Sequence, residues 1–266
     1  MEINNKLFSL CGRLALVVGA CGNIGRSICQ GLARHGADLV IADLRHDACL
    51  DLAKELGSSF SGRYVPAPGD CTTDDGIQAV MHACDTMGPI QIVIHCMALI
   101  SSTPMPGYAV PFEKQSLDAW ELALKVNLTS TFLLAKHVHR RLDQSGIASV
   151  IFLSSIYGSL GPDWSVYENT SMGNPLAYGA SKGGLQQLMR YLATLWAPLV
   201  RVNCVSPGGI QRGQEEAFVQ RYEQRTPMRR MATPEDIVGP VIFLASDAAR
   251  YVTGQNIIVD GGLSAW

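Results

Sequence analysis

Tyr178 and Lys182 stand four positions apart in the run AYGASKGG, within a stretch of helical spacing. Residues at i and i+4 share one helix face. An ammonium there favours phenolate over phenol and lowers a tyrosine pKa from its ordinary value of about 10. A phenolate available near neutral pH acts as a general base toward an alcohol, and the phenol protonates an alkoxide in the reverse direction. Ser155 closes the apolar run SVIFLSS and offers a hydroxyl to the same substrate oxygen. Taken alone, a Tyr-x-x-x-Lys pair is an ordinary surface feature, so the chemistry rests on what accompanies it.

What accompanies it is a glycine loop. VVGACGNIG sets Gly19, Gly22 and Gly25, with Asn23 and Ile24 among them, between an apolar run and an amphipathic one. Such glycines allow a tight turn and close backbone approach to a pyrophosphate, which the next helix N-terminus attracts. Asp43 ends the following apolar run, where a carboxylate binds a ribose diol and repels a 2′-phosphate. The cofactor expected is therefore NAD rather than NADP, a preference that Arg45 softens. Asp70 stands after the third apolar run, placed to meet an adenine amino group.

These residues must be positioned by a repeating scaffold. Short apolar runs at 14–18, 38–42, 63–67, 91–97, 149–155, 201–206 and 256–260 read as strands. Helical patterns lie between them at 24–35, 46–56, 74–87, 116–144, 175–197 and 234–246. The 175–197 helix has an expected core stripe of Leu185, Leu188, Met189, Leu192, Leu195 and Trp196, and Thr233-Pro234-Glu235-Asp236 is a capping signal for the last helix. Continuous apolar strands separated by helices imply a mostly parallel, doubly wound α/β sheet of seven strands, covered on both faces. No linker or repeat interrupts it, so residues 1–266 are expected to form one domain. Segments 156–175 and 208–232 fit no element and follow strands at the end where such sheets bind ligands.

Bulk properties agree with an enzyme of small molecules. The 266-residue chain is 47% hydrophobic and has a formal net charge of −2, which argues against nucleic-acid and membrane-surface partners. No apolar run approaches the roughly 18 residues of a membrane span. The eight cysteines form no CxxC pair and no metal-ligand spacing; buried free thiols and a reducing, cytoplasmic setting are expected.

The joint pattern is more specific than its parts. The glycine loop, Asp43, Asn127 in KVNLTS, Ser155 in LSSIYG, Tyr178, Lys182, RVNCVSPGG and YVTGQNIIVDGG occur in that order. Over essentially the whole chain this resembles the single-domain branch of the short-chain dehydrogenase/reductase family. The resemblance implies that Tyr178 is the acid/base, that Lys182 lowers its pKa and binds the nicotinamide ribose, and that Ser155 orients the substrate. It implies that Asn127 holds a water in a proton relay. It places Leu44, Cys71, Met97, Ala98, Pro207, Gly208 and Ile210 beside the dinucleotide, and it implies a homotetramer or dimer.

Four departures stand out. Val18 replaces a threonine before the first loop glycine, and Asn23 takes the usual place of the middle glycine. His95-Cys96-Met97-Ala98 stands where the family has Asn-Asn-Ala-Gly, with His95 expected to be structural. Arg212 replaces a threonine after the Pro-Gly turn, where it can meet an anionic substrate. Twenty-three positions separate Ser155 from Tyr178, about a dozen more than usual.

The excess holds Asp163, Trp164, Tyr167, Glu168 and Asn169, aromatic faces and polar groups suited to a sugar, sugar phosphate or other polyol. Trp164 and Arg212 join Ser155 and Tyr178 as expected substrate contacts, and Arg221, Arg225, Arg229 and Arg230 as a possible phosphate site or a solvated face. SIYG, YEN, PGG and Trp266 are similar to a subgroup linked to bacterial surface-sugar and flagellin-glycan biosynthesis. The alternatives are an impaired dinucleotide-binding scaffold and an epimerase or dehydratase that recycles its NAD.

Overall fold

The computed structural model describes residues 7–266. Seven strands form one parallel sheet: β1 (Leu14–Val18), β2 (Asp38–Asp43), β3 (Tyr64–Pro68), β4 (Ile92–His95), β5 (Ala148–Leu153), β6 (Val200–Pro207) and β7 (Asn256–Val259). Their order is β3-β2-β1-β4-β5-β6-β7, the doubly wound arrangement expected. The order reverses between β1 and β4, which opens a crevice at the carboxyl ends of these strands.

Alternation along each strand divides the core. Leu14, Leu16 and Val18 of β1 point to one face, packed with residues such as Ile77, Leu134, Leu185 and Met189. Ala15 and Val17 point to the other, against Ile28, Leu32, Leu52 and Val241. Both faces are apolar because helices cover both: α3 (Asp74–Asp85), α5 (Ser130–Val138) and α6 (Leu176–Trp196) on the first, α1 (Asn23–Arg34), α2 (His46–Ser59) and α8 (Glu235–Ala245) on the second. Each fully buried leucine contributes roughly 2 kcal/mol.

Three expectations need correction. The 116–144 region is broken: α4 (Leu117–Leu124) passes through a π-helical turn at Lys125–Thr129 into α5, and a 3₁₀ turn follows at His139–Arg141. The π turn carries Asn127, whose side chain bonds Leu99 and Ser181. The 208–232 segment is not irregular throughout; it contains α7 (Glu216–Arg225), whose Phe218 and Tyr222 pack on Val166 and Met231. Only two buried positions among charged ones conceal it from periodicity. In α6 the stripe holds at Leu185, Met189, Leu192 and Trp196, whereas Leu195 is exposed. At the start of α8, Asp236 Oδ2 accepts from the Thr233 N–H at 2.8 Å, as the capping signal implies.

Candidate active site

Helix α6 places Tyr178 and Lys182 on successive turns at the carboxyl end of β5. Lys182 is buried, and its Nζ donates to the Leu153 carbonyl at 2.7 Å, lying 5.8 Å from the Tyr178 ring centroid. Burial pulls the Lys182 pKa down to about 8. Tyr178 differs from expectation. Burial raises its pKa, and the groups pulling it back are the Ser155 hydroxyl and the Arg212 guanidinium, not Lys182. The Lys182 ammonium itself is engaged by the Leu153 carbonyl.

Ser155 follows β5 in extended backbone, with its Oγ accepting from the Tyr157 N–H at 3.2 Å. Asn127 Oδ1 accepts from the Leu99 N–H at 2.7 Å, while its Nδ2 donates to the Leu99 carbonyl at 3.2 Å and to Ser181 Oγ at 3.0 Å. Its side chain thus ties the irregular segment after β4 to α6, and its hydrogen bonds do not include Lys182. Residues that sequence reasoning missed hold these parts together. Ser154 Oγ donates to the Lys182 carbonyl at 3.1 Å, and Gln186 Nε2 reaches Ser154 Oγ at 3.2 Å and the Ser155 carbonyl at 3.3 Å. A glutamine in an otherwise apolar stripe, two turns after the tyrosine, was the available signal.

A cleft of about 200 Å³ runs from the glycine loop to this helix. It is lined by Gly19, Gly22, Asn23, Ile24, Gly25 and Ala98, by Ser155, Tyr178 and Lys182, and by Pro207, Gly208, Ile210 and Arg212. The loop fits a dinucleotide. A Cβ on Gly25 would lie 2.2 Å from the Gly19 carbonyl oxygen, and one on Gly19 would lie 2.8 Å from the Met97 nitrogen. Helix α1 begins with no side-chain cap and no acidic first-turn residue, leaving N–H groups for a pyrophosphate. Asp43 is coupled to the loop, its Oδ2 accepting from the Cys21 N–H at 3.1 Å; its Oδ1 pairs with Arg45 Nε, also at 3.1 Å.

Other expected dinucleotide residues lie outside the cleft lining. Leu44 is exposed, and Asp70 Oδ1 accepts from the N–H and hydroxyl of Thr72. Cys71 is buried in the core, and Met97 packs against the same cluster while Cys96 and Ala98 line the cleft. His95 is structural: it is fully buried, with Nε2 3.2 Å from Ser130 Oγ, and burial drives its pKa down to about 3.

A second cavity of about 410 Å³ adjoins the cleft. Segments 156–175 and 208–232 form much of its wall, including Tyr157, Tyr167, Asn174, Arg212, Glu215 and Phe218. Tyr157 and Tyr167 hydroxyls lie 3.1 Å apart, and Asn174 Nδ2 donates to Tyr167 at 3.3 Å. Trp164 is not part of this wall; it is exposed and tilted on the outside of Tyr167. The four downstream arginines do not reach the cavity either. Arg225 pairs with Asp163 at 3.0 Å and Arg230 with Asp236, while Arg221 and Arg229 bond backbone carbonyls. They brace the loops instead of binding phosphate there.

Comparison with known proteins agrees with this architecture. The family model described as enoyl-(acyl carrier protein) reductase matches residues 19–264. The chain belongs to the short-chain dehydrogenase/reductase family. It is 33% identical to a tropinone reductase homolog of Arabidopsis thaliana, covering 98% of this chain and 95% of that one. It is 32% identical to the galactitol 2-dehydrogenase (L-tagatose-forming) of Cereibacter sphaeroides, covering 98% of each. It is 28% identical to the post-translational flagellin modification protein A of Campylobacter coli, covering 94% and 97%. The structure of a gluconate 5-dehydrogenase from Burkholderia cenocepacia, in complex with NADP and tartrate, superimposes with a TM-score of 0.84 at 26% identity, covering 98% of each chain.

Proposed function

We propose that the protein is an NAD-dependent oxidoreductase that interconverts a secondary alcohol and a ketone on a sugar, sugar acid, sugar phosphate or related polyol. The observation that carries the reading is the shared wall: Ser155, Tyr178 and Arg212 line both the glycine-loop cleft and the larger cavity. A substrate in the cavity therefore meets the tyrosine where the cleft ends. Similarity to a galactitol dehydrogenase and a gluconate dehydrogenase supports a polyhydroxylated substrate.

When bound, the dinucleotide supplies hydride transfer at its nicotinamide ring. The loop glycines and the N-terminus of α1 hold its pyrophosphate, and Asp43 holds the adenosine ribose and disfavours a 2′-phosphate. At the far end, Tyr178 Oη takes the hydroxyl proton in oxidation and returns it in reduction, while Ser155 Oγ donates to the substrate oxygen. Lys182 presents a buried, readily titrated ammonium under the ring. The free cysteines support a reducing, cytoplasmic setting.

Tyr178→Phe is the direct test. It should retain NAD binding and lose about 100- to 10,000-fold in turnover, the usual scale of general acid–base catalysis. Undiminished turnover of a polyol by this variant refutes the assignment.

A further inference from the structure

We infer that the substrate carries an oxyanion, carboxylate or phosphate, held by the Arg212 guanidinium beside the reacting carbon. The inference deepens the oxidoreductase reading and rests on it.

Arg212 is the one cation in the lining of the larger cavity, and it stands where that cavity meets the cleft. Among the described residues its guanidinium has no hydrogen-bond or ion-pair partner; only its backbone N–H is engaged, donating to Gln214 Oε1 at 2.7 Å. Its neighbours differ in kind. Arg221, Arg225, Arg229 and Arg230 are each occupied by a carboxylate or a carbonyl of the fold. The one carboxylate of the lining, Glu215, is taken by Ser171, whose N–H donates to Oε1 at 2.9 Å and whose hydroxyl donates to the same oxygen. Arg212 is exposed at the junction of the two cavities. A guanidinium left without a partner at a cavity mouth is matched by a planar or tetrahedral oxyanion, to which it presents parallel N–H donors.

Distance along the substrate follows from Tyr178. Arg212 and Tyr178 line both the cleft and the larger cavity, so one small molecule can reach both. The anion and the reacting oxygen therefore belong to the same small molecule, a few bonds apart. A volume of about 410 Å³ agrees, being near the lower end of the roughly 300–1,000 Å³ of ligand pockets. The hydroxyls of Ser101 and Ser102 remain to bind a neutral polyol chain.

The test uses D-gluconate, its neutral counterpart sorbitol, and sorbitol 6-phosphate, with wild type, Arg212→Met and Arg212→Lys. One of the two anions should exceed sorbitol in kcat/KM by about tenfold or more, and which one identifies the oxyanion. Arg212→Met should raise the KM for that anion about 10- to 100-fold, the scale of a lost charged hydrogen bond, with partial recovery in Arg212→Lys. It should also move the alkaline rise of the oxidation rate to higher pH, because a cation that favours the Tyr178 phenolate is gone.

Sorbitol turned over as well as both anions overturns the inference and leaves the oxidoreductase reading standing. An NAD affinity that falls tenfold in Arg212→Met, with the anion-to-sorbitol ratio unchanged, also overturns it, since the arginine then serves the cofactor. Calorimetry on the NAD-saturated protein separates the remaining cases. Anion binding that Arg212→Met abolishes, without turnover, supports the anion site and shows only that the probe lacks the reacting alcohol. Binding of neither anion to wild type overturns the inference.

Discussion

At the scale of single residues, the site depends on what surrounds two titratable groups. Lys182 is buried with the Leu153 carbonyl for a partner, and Tyr178 is half-buried, with Ser155 and Arg212 lowering its pKa against the effect of desolvation. The identities of these residues were legible, because their order along the chain resembles a known arrangement. Their electrostatics were not. Spacing places Lys182 on the tyrosine's face but cannot tell which way a four-carbon stem turns, and the ammonium turns to Leu153. Asp43 shows the same division. Its place at the end of β2 was readable, while its bonds to Cys21 and Arg45 needed coordinates. These bonds give a prediction. Asp43→Ser removes the carboxylate that repels a 2′-phosphate and frees Arg45 to attract one. The ratio of kcat/KM with NAD to kcat/KM with NADP should fall about tenfold or more. A ratio that stays constant in steady-state assays would count against Asp43 as the ribose ligand.

At the scale of elements, the strands were legible and the insertions were not. A parallel strand buried on both faces reads as an unbroken apolar run, as LALVV and SVIFL do. Helix α7 buries only a few side chains, and what it packs against lies about fifty residues earlier in a segment with no period of its own. The π turn at 125–129 was equally hidden; it carries Asn127, which bonds Leu99 and Ser181, partners distant in the sequence. The glycine turn is tight enough to test. Gly25→Ala pushes a methyl group into the Gly19 carbonyl, so α1 must move away from the cleft. NAD affinity should drop about tenfold or more while the far-UV circular dichroism stays that of the parent. Unchanged affinity by titration would mean the α1 N-terminus is not where the pyrophosphate sits.

At the scale of the whole molecule, sheet order and apolar surface point beyond one chain. Leu117, Leu122 and Phe132 are exposed on α4 and α5, and Tyr251 and Trp266 are exposed near the carboxyl end. Side chains of this size left in water favour association. Light scattering should return a mass near four times the 28.7 kDa of the chain, or twice it for a dimer. A mass of one chain across micromolar concentrations would remove the oligomer from the description. The strand order has one more consequence. The loop glycines and Asp43 are encoded before β3, whereas most of the larger cavity's wall is encoded after β5. Hereditary change in one half can therefore retune what is oxidised without touching the electron carrier, and a hybrid gene spliced near β4 would inherit its two selectivities from different parents.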